Sequence, residues 1–320
     1  MRTRTIGILT LVLRASACRY WRSPAGRKAC TTAVVKRAIS LFTLFAALVP
    51  LAVSAQGERM RDVVAYDDIR IDLISEGSGP LVILLPSRGR GAEDFDTIAA
   101  GIARAGFRVL RPQPRGAGKS TGPMKGLTLH DFARDIAMVI RHAGGGRAVI
   151  AGHAFGNWVA RMTAVDYPEL VRGVVIIAAA AKGYPAGFAG AKELSAAVRK
   201  AGDPRLPVAE RIGYLRMAFF APGHDASVWL SGWHPEVDEA QFAAGRATKQ
   251  SEWWHGGNAP LLDLQAELDP FKPRSMMNEI PEEVGARASV IVIPNASHAL
   301  VPEQPAAVVD AIVGWMRKLP

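Results

Sequence analysis

The chain has 320 residues, 49% of them hydrophobic, 21% charged and 7% aromatic. That balance excludes a disordered or collagen-like chain, and the length suffices to bury roughly 70–75% of the unfolded surface in one large domain or two small ones. The formal charge of +10 excludes less than it suggests, because residues 1–55 hold nine Lys/Arg and no acid, leaving 30 basic against 29 acidic side chains in the remainder. With a near-neutral body the basic pI is no argument for a phosphate-binding surface, and no nucleic-acid partner is expected.

Residues 1–55 read as a leader. Lys36-Arg37 precedes the apolar stretch Ile39–Ala52, and Val53-Ser54-Ala55 makes an A-x-A-like cleavage site. A membrane anchor is the competing reading, but about 20 apolar residues are needed to span, and this stretch is shorter and broken by Pro50. The expectation is cleavage near Ala55 and a secreted or periplasmic body, with no membrane association afterwards. The segment before Val34 is long for a signal's basic region, which suggests a true start near Val34 or Val35. Cys18 and Cys30 both fall in the leader, so the body has no disulfide, thiolate metal site or cysteine nucleophile.

From about residue 62 short apolar runs alternate with helical stretches. Val63–Tyr66 and Ile69–Ser75 read as an opening pair of strands. Leu81–Leu85 is a continuous apolar run between Gly79-Pro80 and Pro86, the pattern of a buried strand. A helix follows over Asp94–Ala105, with Phe95, Ile98, Ala99, Ile102 and Ala103 on one face, then a strand at Arg108–Leu110. Leu129–Ala143 is a second helix, with Phe132, Ile136, Val139 and Ile140 aligned. Strand Ala148–Ala151, helix Asn157–Tyr167 and strand Val171–Ala178 continue the rhythm.

Residues 182–258 break it. Two helices (Lys192–Arg199 and Val208–Phe220) stand among Pro, Gly and many aromatics, including Tyr184, Phe188, Phe219, Trp229, Trp233, Trp253 and Trp254. This is either a helical insertion packed on the sheet or a lid roofing an apolar pocket. Strands at Leu261–Ala266 and Ala288–Ile293 and a closing helix at Pro305–Arg317 complete the chain. The fold class is therefore α/β. It is a mostly parallel open sheet of about eight strands with helices on both faces, split as core 56–181, helical cap 182–258 and core 259–320.

Four segments carry chemistry. Ala148–Ala151 runs into Gly152-His153-Ala154-Phe155-Gly156 and then a helix. This is the strand–turn–helix setting of a nucleophile elbow, G-x-S-x-G, with Ala154 at its centre. Strand Leu261–Ala266 leads to Glu267-Leu268-Asp269-Pro270, placing an acid at the same sheet edge. The last strand leads to Asn295-Ala296-Ser297-His298. Arg115-Gly116-Ala117-Gly118-Lys119-Ser120 forms a glycine-rich turn after the fourth strand.

In that order, the segments resemble the capped α/β-hydrolase superfamily over residues of about 62–320. The resemblance implies that Ala154 occupies the nucleophile position, Asp269 the acid and His298 the base. Phe155 and Arg88 would supply backbone oxyanion-hole N–H groups. Glu267 is the rival acid, and Asp269 could simply open a turn with Pro270. Two departures stand out. Ala154 is only a methyl where the family has a hydroxyl, thiol or carboxylate, and Pro86-Ser87-Arg88-Gly89-Arg90-Gly91 replaces the frequent His-Gly after the third strand. Arg88 and Arg90 either attract an anionic substrate or pair with Glu93 or Asp94. Ser87, Arg90, His153, Trp229, Trp233 and Trp253 are the expected pocket residues, with His153 read as a packed elbow residue rather than a catalyst.

Two motifs are dismissed. Gly116–Thr121 lacks the first glycine of a phosphate loop, because Gln113 stands there. Asn295-Ala296-Ser297 fits a glycosylation pattern beside the candidate base and reads as chance. No metal or cofactor is expected, since His130 and His142, twelve residues apart on one helix, make no ligand pair. Two functions compete. One is an exported enzyme acting on a small apolar ester-like or carbonyl substrate through His298. The other is a non-catalytic ligand-binding relative whose Ala154 forbids acyl-enzyme chemistry.

Overall fold

A computed structural model describes residues 59–184 and 190–320. The expected leader 1–55 and Phe188 lie outside the described residues. The chain runs β1 (Met60–Tyr66), β2 (Ile69–Glu76), β3 (Leu81–Leu85), α1 (Asp96–Arg104), β4 (Arg108–Pro112), α2 (Leu129–Ala143), β5 (Ala148–His153), α3 (Phe155–Asp166) and β6 (Val171–Ile177). The insertion contributes α4 (Ala191–Ala201), α5 (Val208–Ala218), α6 (Pro235–Ala247) and α7 (Gln250–Trp253). Then come β7 (Leu261–Ala266), α8 (Glu279–Val284), β8 (Ala288–Ile293), α9 (Leu300–Glu303) and α10 (Pro305–Met316).

The eight strands form one sheet in the order β1-β2-β4-β3-β5-β6-β7-β8, antiparallel from β1 to β4 and parallel thereafter. The central strands bury both faces, which is why they read as unbroken apolar runs. In β3, Leu81, Ile83 and Leu85 join the core under α2 and α3, while Val82 and Leu84 join the core under α1 and α10. α2 starts where the Thr128 N–H donates to Asp131 and stops at Gly144 in the left-handed region, φ 66°.

Sequence order reverses around β3: the chain steps to β4 on one side and to β5 on the other. The C-terminal ends of β3 and β5 therefore flank a crevice, the usual ligand position of an open α/β sheet. The glycine-rich turn after β4 is structural. Arg115 is buried and clamps Asp135 of α2 at 2.7 and 2.8 Å, and Ser120 Oγ accepts from the Asp72 N–H at 2.8 Å. Small corrections apply to the sequence reading. α1 begins at Asp96 after a 3₁₀ turn, β5 extends to His153, and α3 begins at Phe155. No helix among the described residues is long and apolar enough to cross a membrane.

Candidate active site

The bend between β5 and α3 is built on two glycines. A Cβ on Gly152 would lie 2.2 Å from the Gly156 carbonyl, and one on Gly156 would lie 2.3 Å from the Leu85 carbonyl oxygen. Ala154 sits at φ 47°, ψ −110°, a strained conformation for an L-residue that costs about 1–3 kcal/mol. Its surroundings hold it there. The Ala154 N–H donates to Ile177 O at 3.0 Å, and its carbonyl accepts from both the backbone N–H (3.1 Å) and the side-chain amide of Asn157. Asn157 Oδ1 in turn accepts from Arg161 at 2.5 Å. Phe155 is the first residue of α3, so its N–H is one of the donors a helix leaves unpaired, at the positive end of the dipole.

The acid and the histidine meet. His298 Nδ1 lies 2.9 Å from Asp269 Oδ2, and the side chains are 7% and 2% exposed. Asp269 Oδ1 accepts from the Phe271 N–H at 2.8 Å, so both carboxylate oxygens are oriented. With Nδ1–H given to the carboxylate, Nε2 keeps the lone pair of a base. Glu267, the rival acid, instead receives the Asn295 N–H and pairs with Arg274. The histidine loop is tied down by Glu303, whose carboxylate accepts from the N–H groups of Ser297 (2.6 Å) and Ala221 (2.5 Å). Burial pushes the Glu303 carboxyl up, and those two N–H groups oppose the push.

Ser87, Arg88, Ala154, Phe155, Trp233 and His298 line one cavity of about 220 Å³. Four aromatic residues complete the wall that the sequence reading did not assign to it: Trp158, Tyr184, Phe219 and Phe271. Trp158 could have been found, since it lies one helical turn beyond Ala154 and so on the same face of α3. Tyr184 and Phe219 were visible only as members of an aromatic-rich stretch, and Phe271 carried no signal.

Four expected pocket residues do not line the cavity. Arg90 is 2% exposed; its guanidinium forks onto Asp94 at 2.6 and 2.7 Å and packs into the corner made by Trp229 and Trp233, 4.7 Å from each of two rings set at 88°. Trp229 is taken up by that contact and by Phe219 and Phe220, at 5.3 and 5.4 Å. Trp253 stacks on Trp158 at 5.0 Å and covers Arg161 at 4.6 Å, one layer behind the wall. His153 is buried and its Nε2 donates to the His298 carbonyl at 2.7 Å. Burial, with the His298 imidazole and the Arg90 guanidinium nearby, pulls His153 down to about 3. A neutral, fixed imidazole is a positioning residue for the histidine loop.

Among the described residues no three His, Cys, Asp or Glu side chains cluster to hold a metal ion. The loop after β3, the elbow and the Asp269-bonded histidine face one cavity, where Arg88, Ala154, Phe155 and His298 all form part of the wall.

Comparison with known proteins agrees with this architecture. The chain is 32% identical over 109 residues to the 2-(acetamidomethylene)succinate hydrolase of Mesorhizobium japonicum, which is 34% of this chain and 39% of that protein. It is 29% identical over 108 residues to a soluble epoxide hydrolase of a Corynebacterium species, 34% of this chain and 37% of that one. The matched stretches thus span about two-fifths of these curated relatives. The crystal structure of E-2-(acetamidomethylene)succinate hydrolase superposes with a TM-score of 0.66 at 22% identity, covering 81% of this chain and 100% of that one. A thermophilic esterase from Thermogutta terrifontis with malate bound gives 0.63 at 23% identity, covering 82% and 98%. At those identities the likeness is one of fold. The model of the alpha/beta hydrolase fold family matches residues 80–305, most of the described chain, and the protein belongs to that family.

Proposed function

We propose that the chain is an exported enzyme acting on a small apolar ester-like or carbonyl substrate, with His298 as general base, Asp269 as its orienting partner and Ala154 leaving the nucleophile position to water. The observation that carries the reading is the Asp269–His298 hydrogen bond at the wall of a cavity that also takes in Ala154, Phe155 and Arg88. For an ester, His298 Nε2 takes a proton from a water resting over the Ala154 methyl. The resulting hydroxide attacks the carbonyl carbon, and the N–H groups of Phe155 and Arg88 receive the oxyanion. As the C–O bond breaks, the imidazolium returns its proton to the leaving oxygen, giving an acid and an alcohol. No acyl-enzyme forms. Loss of the serine costs about 10⁶ in turnover in a serine hydrolase, while binding and the oxyanion hole retain about 10³–10⁴ over water. The enzyme is therefore expected to be slow on ordinary esters. Relatives named as hydrolases support hydrolysis as the reaction class.

A second reading, a non-catalytic binder, is favoured by one observation, the bare methyl at position 154. Turnover on a panel of p-nitrophenyl esters and small carbonyl compounds separates the two. The enzyme reading expects His298→Ala to lower the rate by about 10²-fold or more. Equal rates for the wild type and this variant would leave only the binder.

A further inference from the structure

The two arginines after β3 have different fates. Every nitrogen of Arg90 is engaged: Nε and Nη2 donate to Asp94, and Nη1 donates to Ser231 O at 2.7 Å. Arg88 uses one. Its Nε donates to Asp238 Oδ1 at 2.7 Å, and neither of its Nη groups has a hydrogen-bond partner among the described residues. The Phe242 ring lies 5.2 Å from its Cζ and covers one guanidinium face, so what stays available is the Nη edge. The side chain is 24% exposed, and Arg88 is one of the residues lining the cavity.

The cavity is otherwise lined by aromatic, aliphatic and hydroxyl side chains and by His298, and among the described residues no Asp or Glu lines it. Arg88 is its one obligate cation. Asp238, the partner of Arg88, instead lines an outer groove of about 560 Å³, and Trp233 and Val198 wall both spaces. The Arg88–Asp238 pair thus links a residue of the cavity wall to one of the adjoining groove. A guanidinium with an open two-nitrogen edge in a largely apolar site matches a planar carboxylate in bidentate fashion. An apolar cavity of about 150 Å³ accepts benzene, so one of about 220 Å³ accepts a ring or short chain bearing an acid group.

We propose that the Arg88 side chain is the specificity determinant of this site, and that the substrate class is a small apolar or aromatic carboxylate whose acid group binds the Arg88 Nη edge. The proposal rests on the functional reading above for where the reaction occurs, but not for the binding itself. Asp238 competes with the ligand for the same guanidinium, so its removal has the opposite sign to removal of Arg88.

The test is a fluorescence titration of the full chain, read through Trp158 and Trp233 on the cavity wall, with phenylacetate and the isosteric phenylacetamide as probes. The wild type is expected to bind phenylacetate at least about tenfold more tightly than the amide. Arg88→Gln should erase that preference while keeping amide affinity, and Asp238→Asn should tighten phenylacetate several-fold. General destabilisation cannot produce that tightening, so the second variant stands even if the first folds poorly. Equal or absent binding of the two probes by the wild type, or a preference that survives in Arg88→Gln, overturns the proposal. The titration reads no turnover, so its failure is distinct from failure of the ester panel.

Discussion

Placing a hydroxyl at position 154 tests the whole constellation at once. The backbone is already bent to φ 47°, ψ −110°, and serine and alanine bear the same strain there, about 1–3 kcal/mol. The added oxygen needs roughly the room of one water, at least about 10–15 Å³, and the cavity offers about 220 Å³. Ala154→Ser should therefore change stability by no more than about 0.5 kcal/mol. The gain in activity is set by alignment. A serine nucleophile is worth up to about 10⁶ in turnover, and a misplacement of about 1 Å costs about 10² of it. A gain of about 10⁴–10⁶ over the parent is expected, because the Asp269–His298 pair is preformed at 2.9 Å. In stopped flow with p-nitrophenyl acetate, the variant should release a burst of nitrophenol stoichiometric with enzyme, absent from the parent. Intact-mass measurement of the quenched sample should show one acetyl group. A variant with unchanged circular dichroism and melting temperature, but no burst and no adduct, would refute the claim that residues 154, 269 and 298 share one reaction centre.

Two further outcomes follow from geometry. Ala154→Gly should stabilise the protein, since relief of about 1–3 kcal/mol of strain exceeds the roughly 0.4–1 kcal/mol of extra chain entropy that glycine brings to the unfolded state. At about 2–4 °C per kcal/mol for a domain of this size, the melting temperature should rise by a few degrees, and a fall would mean the elbow is relaxed. His130 of α2 lies between Asp166 of α3 (2.8 Å) and Glu252 of α7 (3.3 Å). Burial alone would lower its pKa, but the hydrogen bonds to Asp166 and Glu252 outweigh it and the net shift is upward. A raised folded-state pKa gives stability that is fully present below the ordinary histidine value of 6.5 and is lost as pH rises through the folded value. Because the imidazole is 45% exposed, solvent screening limits the effect to under about 1 kcal/mol. Buried His153, held down to about 3, works in the opposite sense in both proteins, so the readout is the variant against the wild type: His130→Gln should cost more stability in urea unfolding at pH 5.5 than at pH 8.5, and an equal cost at both would remove His130 as the source.

Legibility in the sequence followed the physics of burial. β3, β7 and β8 fall where the apolar runs placed them, and α2 has the predicted bounds because its stripe of Phe132, Ile136, Val139 and Ile140 is wide and its ends are marked. α6 was invisible. Among its thirteen residues only Val237, Ala240, Gln241 and Ala244 are buried, a stripe of small and polar side chains with little hydrophobic contrast. The bond from Arg90 to Asp94 is a local i, i+4 contact and was among the alternatives. The indole corner that holds Arg90 away from the cavity was not foreseeable, because Trp229 and Trp233 reach it from about 140 residues away in sequence. Trp253 went the same way: an aromatic in the insertion suggested a pocket wall, but a buried arginine, Arg161, claimed its face.

These long-range contacts change what the insertion does. The loop after β3, which carries the proposed oxyanion donor Arg88, is gripped from α6 and the segment before it: the Gly89 N–H donates to Gln241 Oε1 at 2.8 Å, and the His234 N–H donates to Gly89 O at 2.8 Å. Gly89 stands at φ 68°, and a Cβ there would come 2.8 Å from the Asp238 Cβ, so the close approach requires glycine. The histidine loop is gripped from α5's end, where the Ala299 N–H donates to Phe219 O at 2.7 Å and Glu303 bridges Ala221 to Ser297. The stretch from Phe219 to Gln241 therefore braces two of the parts the chemistry needs. A swing of the whole insertion as a lid would pull the oxyanion loop and the histidine loop out of register together. On the cavity wall away from that brace α4 contributes Leu194, Ser195 and Val198. Among the described residues the Ser195 hydroxyl bonds to Arg199 of its own helix and not to the loops after β3 or β8. The insertion is thus tied to the elbow end of the sheet through Phe219–Gln241, with the Arg88–Asp238 pair adding an ion pair from the β3 loop to α6.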